Sequence, residues 1–194
     1  MKYEAENFDR LLGTQGFSDN LLQTHFKLYQ GYVANTNKLA ESLNAMLQDG
    51  KTATPEYSEL KRHFGWEFNG MRLHEYYFGN MTKEKSSFES DSPLAEKMKA
   101  DFGSTDQWLK DFKATGGMRG IGWTILYHDT SKDRLFNTWV TEHDAGHLSG
   151  ATPLLVLDVF EHAYVFDYGM KRADYMEAFF NAVDWGVVGK RLGK

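Results

Sequence analysis

Asp158 and His162, four residues apart, are the side chains of this sequence best placed to do chemistry. They close the run Leu154-Leu155-Val156-Leu157, whose branched apolar residues read as a buried strand. An ionised group at the end of such a strand is costly unless a counter-charge meets it, and a metal ion is the strongest available. The plainer alternative is that Asp158 caps the following helix and His162 is an ordinary polar residue. Two more histidines weigh against it. His25 and His74 each fall on the apolar stripe of a helical segment. One histidine on such a face is more often a satisfied core residue than a ligand. Two of them on neighbouring helices, with Asp158 and His162, supply three imidazoles and a carboxylate, a set suited to Fe, Mn or Zn. The chain has no cysteine, so a metal here takes nitrogen and oxygen ligands only. Sequence order alone does not bring the four together.

The elements that must position them can be read from periodicity. Ser18-Asp19-Asn20 starts a helix in which Leu21, His25, Leu28, Tyr29, Tyr32, Val33, Leu39, Leu43 and Met46 recur at helical spacing towards Gly50, with a kink or break expected near Gly31. Thr54-Pro55-Glu56 starts a second helix, striped by Leu60, Phe64, Phe68, Met71, His74, Tyr77 and Phe78. Together they predict a long helical hairpin over residues 1–82. The polar stretch 83–92 reads as a linker, and 93–194 as a second domain. There, 93–100 and 105–114 read as short helices. Strands follow at 122–127, 135–141 and the run ending at Asp158, with helix returning at 162–168 and 173–183. The order argues for an α+β fold with a small, about three-stranded antiparallel sheet.

Composition narrows the function classes. A net charge of -5 argues against a nucleic-acid binder, which would want a basic face. No stretch is apolar enough to span a membrane or serve as a signal peptide, so a cytoplasmic protein is expected. Aromatic residues reach 15%, enough to line a core or a site with rings.

Taken together these residues resemble the iron/manganese superoxide dismutase family over most of the chain. Asp158-Val159-Phe160-Glu161-His162-Ala163-Tyr164 is similar to its Asp-x-Trp-Glu-His-Ala-Tyr signature, with Phe160 in the place of the Trp. Arg172-Ala173-Asp174-Tyr175, Val183-Asp184-Trp185, Ile121-Gly122-Trp123 and Asp101-Phe102-Gly103-Ser104 fit the same pattern in the same order. His74-Glu75-Tyr76-Tyr77-Phe78, preceded by Phe68-Asn69-Gly70, resembles the segment bearing a ligand histidine.

The resemblance implies that His25, His74, Asp158 and His162 are metal ligands. In the family the first ligand stands eight residues before a Tyr-Val pair. Here His25 stands seven before Tyr32-Val33, and Thr24 takes the eighth place. Either the helix lacks a one-residue bulge and His25 still reaches the metal, or the site has only three ligands. Tyr32 is implied as the active-site tyrosine. Gly70 occupies one place from which the family supplies a Gln or His beside the metal, so His143, with His147 as runner-up, is expected to serve. Glu161 is implied to orient His162 across a homodimer or tetramer contact, and Arg172, with Lys27, to draw in the anionic substrate. His63 and His128 are read as surface residues.

The implied reaction is disproportionation of superoxide at a mononuclear Fe or Mn centre, with a lean to iron or dual use from the histidine at 143. Zinc is excluded for want of redox chemistry. A different mononuclear metalloenzyme on the same ligands, or a catalytically silent metal-binding relative, stay open.

Overall fold

A computed structural model describes residues 2–193. Helix α1 runs from Asp19–Gln48 and α2 from Pro55–Gly79, and the two pack as a hairpin. Each start follows the sequence signal. The Ser18 hydroxyl accepts from the Leu21 amide and that of Thr54 from the Tyr57 amide, and Pro55 opens the first turn of α2. The break expected near Gly31 does not occur: α1 is one uninterrupted α-helix. Gly31 faces solvent, where a missing side chain costs helix propensity but opens no gap in the packing.

The hairpin is followed, after residues 80–92, by α3 (Pro93–Phe102) and α4 (Thr105–Gly116). Strands β1 (Gly122–Asp129), β2 (Arg134–Thr141) and β3 (Thr152–Asp158) form an antiparallel sheet in the order β2-β1-β3. Central β1 is buried along almost its whole length, as expected of a strand covered on both faces. That burial corrects the reading of His128. It lies on β1, is only 7% exposed, and its Nε2 meets Asp133 Oδ1 at 2.8 Å.

Strand β3 ends the sheet, and its free edge is closed by a side chain. Asn80, fully buried just past α2, donates to the Val156 carbonyl and accepts from the Val156 amide, both at 3.1 Å. The side-chain amide thus stands in for a strand neighbour. It also ties the end of α2, with His74, to the strand that delivers Asp158.

After β3 the helix expected at 162–168 resolves into a 3-10 turn (Glu161–Ala163) and the short α5 (Val165–Tyr168). Helix α6 covers Arg172–Asn181. A last helix, α7 (Trp185–Leu192), was not anticipated; Asp184 caps it by accepting from the Val187 amide. The core is rich in rings: Phe78, Tyr77, Trp123, Tyr175 and Phe179 are all essentially inaccessible. Burying a Phe such as Phe78 stabilises the fold by about 2–3 kcal/mol.

Candidate metal centre

Two helices and a strand end converge on one point. His25 of α1 and His74 of α2 face each other across the hairpin, with ring centres 4.9 Å apart. Asp158 arrives at the end of β3, and His162 one turn later. One donor atom from each of the four lies within 4.8 Å of all the others. The Oδ2 atom of Asp158 is 3.2 Å from His25 Nε2, 3.2 Å from His162 Nε2 and 3.7 Å from His74 Nε2. His25 is buried while Thr24 is exposed, so in this unbulged helix the seven-residue spacing leaves His25 and Tyr32 on the inner side.

Whether this cluster suits a cation can be judged from its hydrogen bonds. The Gly70 carbonyl can only accept, so His74 Nδ1, 2.6 Å from it, bears the proton and Nε2 carries a lone pair. That Nε2 is buried without a hydrogen-bond partner, and so is His25 Nε2. Burial pushes the His25 imidazole down and the His74 imidazole well down, which favours their neutral forms. Burial alone would raise the Asp158 carboxyl. The charge and hydrogen bond of His162, with a smaller part from His25, outweigh it and hold Asp158 well below the usual carboxylate range. An ionised carboxylate beside two buried imidazole nitrogens that lack hydrogen-bond partners is a donor set that a metal ion fits.

Around this point the walls are aromatic. Phe78 and Tyr77 pack on His25, and Trp123 meets His74 edge-on. Phe160 stacks on His162 at 5.1 Å and packs against His143 at 4.9 Å. Asp158 is fixed from behind, its Oδ1 accepting from the Phe160 amide and its carbonyl from Tyr175 at 2.7 Å.

Beside the cluster, Tyr32 lies stacked on His74, and its hydroxyl is 2.8 Å from His143 Nε2. His143 is fully buried, with Nδ1 accepting from the Trp123 indole at 3.0 Å. Burial lowers its imidazole to about 4. His147 sits behind His143, not beside the cluster, its Nε2 on the His143 carbonyl. Arg172 does not stand free at a mouth: its guanidinium donates to the carbonyls of Met118 and Gly120 and to Tyr164 Oη. Glu161 and Lys27 are exposed.

Sequence reasoning missed Trp66. Its ring packs on Tyr32 and His143, at 5.6 and 4.6 Å, and its indole donates to Glu142 Oε2 at 3.1 Å. It missed Glu67 too, a buried carboxylate whose Oε1 meets His63 Nε2 at 3.0 Å. The i, i+4 spacing of His63 and Glu67 was the available signal.

Comparison with known proteins adds to this geometry. The family profile described as "Iron/manganese superoxide dismutases, C-terminal domain" matches residues 90–191. The chain is 35% identical to "Superoxide dismutase [Fe]" of Aquifex pyrophilus, an alignment covering 100% of this chain and 92% of that protein. It is 37% identical to "Superoxide dismutase [Mn] 2" of Haloferax volcanii, over 87% of this chain and 83% of that one. It is also 37% identical to "Superoxide dismutase [Fe]" of Methanothermobacter marburgensis, with the same shares covered.

Proposed function

The chain belongs to the iron/manganese superoxide dismutase family, and from that membership we propose how its residues carry out the disproportionation of superoxide. Of two superoxide anions, one gives up an electron and leaves as dioxygen. The other gains that electron with two protons and leaves as hydrogen peroxide. The observation that carries the reading is the convergence of four donor atoms, two of them buried nitrogens without partners. In it, His25, His74, Asp158 and His162 hold one iron or manganese ion. The bound ion supplies a one-electron redox couple.

The chain's own residues supply position, dryness and protons. Phe78, Tyr77, Trp123 and Phe160 keep water from the reacting anion. An indole nitrogen only donates, so His143 Nδ1 accepts from Trp123, and neutral His143 carries its proton on Nε2. Nε2 then donates to the Tyr32 oxygen, which leaves the tyrosine's own proton free for the substrate. Burial first, then the Asp158 charge, pushes the Tyr32 hydroxyl well above its ordinary range. Tyr32 therefore keeps its proton until a strongly basic oxygen anion arrives. Arg172 in this reading braces the 118–120 turn while adding positive field.

The same reading takes the assembly as a homodimer through the Glu161/His162 face. The His162 side chain is 26% exposed, unlike its three companions, and Phe166 and Met170 lie open nearby in the chain. Glu161 would accept from the ring of the partner subunit's His162 and orient it. Residues 1–82 and 93–194 are read as two domains joined by 83–92. No helix among the described residues is long and apolar enough to cross a membrane, and a cytoplasmic setting is proposed.

The test is superoxide dismutation by protein loaded separately with iron and manganese, with metal content quantified. Activity per bound ion in either form supports the reading; full loading without activity in both overturns it.

A further inference from the structure

His143 is held at three points, and one of them has no role in the scheme above. Its Nδ1 meets Trp123 and its Nε2 meets Tyr32. Its backbone carbonyl accepts from His147 Nε2 at 2.9 Å, and His147 Nδ1 lies 2.7 Å from the hydroxyl of Tyr127. The tautomer follows from chemistry. A carbonyl can only accept, so Nε2 of His147 is protonated; Nδ1 is then bare, and the Tyr127 hydroxyl donates to it.

The loop gives this contact its importance. Residues 142–146 form a tight turn closed by the Thr141 amide on the Ala145 carbonyl at 2.7 Å. Glu142 carries a positive φ of 51°, uncommon for a residue with a side chain. Gly146 has φ 113°, and a Cβ there would come within 2.5 Å of the Trp139 carbonyl oxygen. Among the described residues, no backbone amide reaches the His143 carbonyl. The anchor beneath is buried in the sheet. Tyr127 is 2% exposed on central β1, at the point where the β1–β3 register shifts between Leu126 and Tyr127. Irregularities of this kind re-aim side chains.

We infer that His147, clamped by Tyr127, is a positioning residue that fixes the backbone of His143 and so the placement of its ring between Trp123 and Tyr32. It touches neither substrate nor ligand. The inference rests on the dismutase reading for its consequence in turnover, but not for its geometry.

The test compares His147→Leu with His147→Gln. Glutamine has both an N–H for the His143 carbonyl and an oxygen for Tyr127, whereas leucine has neither. Two readouts are taken: turnover of the metal-loaded enzyme, and the Trp123 indole N–H resonance with its exchange rate in zinc-loaded protein. H147L is expected to lose about tenfold in turnover, as small misplacements of a reacting group do. Its indole resonance should shift and exchange faster, while H147Q stays within about twofold of wild type with the native signal. Wild-type turnover and indole signal in H147L would overturn the inference. So would equal losses in both variants that merely follow their melting temperatures. Should H147L fail to fold, Tyr127→Phe removes a single hydroxyl, and an unmoved indole signal in it would overturn the inference equally. The indole signal needs no superoxide, so an inactive wild type would sink the dismutase reading while this one is still decided by NMR.

Discussion

Gly70 of α2 lies flat against the ring of Tyr32 on α1. A Cβ at position 70 would sit 2.6 Å from Tyr32 Cδ1 and 2.8 Å from Cε1, closer than real side chains approach. The absent side chain is therefore what lets the tyrosine stack on His74 and reach His143. Gly70→Ala is expected to push the ring aside and stretch the Tyr32–His143 hydrogen bond. Overpacking should cost about 1–3 kcal/mol. Turnover should fall by roughly tenfold, since the proposed proton donor is displaced. Thermal unfolding and steady-state kinetics of the loaded enzyme check both.

Asp158 supplies the cluster's negative charge. Asp158→Asn keeps the shape and the Oδ1 acceptor for the Phe160 amide but removes that charge. We expect metal content after reconstitution to fall by at least about tenfold, read by elemental analysis. Unchanged loading would mean that the charge is not what draws the ion.

Removing the ion should lower stability by mass action, because the unfolded chain has no assembled site. At a thousandfold excess of ion over its dissociation constant the loss is about 4 kcal/mol. For a chain of this length each kcal/mol moves the melting point by roughly 2–4 °C, so chelation should lower it by about 10 °C. Calorimetry before and after chelation measures this; an unmoved transition would mean that the four residues hold nothing.

His143 gives a pH dependence of definite sign. Its folded value is about 4, against about 6.5 for a free histidine, so between these the unfolded chain binds more protons. Stability therefore falls as pH drops from about 6.5 to 4, by at most roughly 3 kcal/mol from this residue. Denaturant titrations of metal-free wild type and His143→Gln across that window should differ in slope, with the variant flatter. Parallel slopes would refute the assignment.

Much of this arrangement was legible in the sequence, for reasons that also explain what was not. The stripes through His25 and His74 gave the hairpin because amphipathic period is a direct imprint of burial. The three strands were legible from their branched and aromatic runs. Helix α7 escaped because Gly186 and Gly189 weaken its local signal, and it is held from outside by Arg191 on Asn80 and on the Leu154 carbonyl. The expected break at Gly31 fails because propensity yields to a helix packed along its length. His128 escaped because its burial depends on which strand is central. Trp66 and the Tyr127–His147 pair join residues far apart in the chain, and no local pattern encodes such contacts.

One consequence concerns assembly. His25 and His74 come from the first half of the chain, Asp158 and His162 from the second, and three of the four are sealed from solvent. The full set of donors therefore exists only in molecules whose hairpin has docked on the sheet.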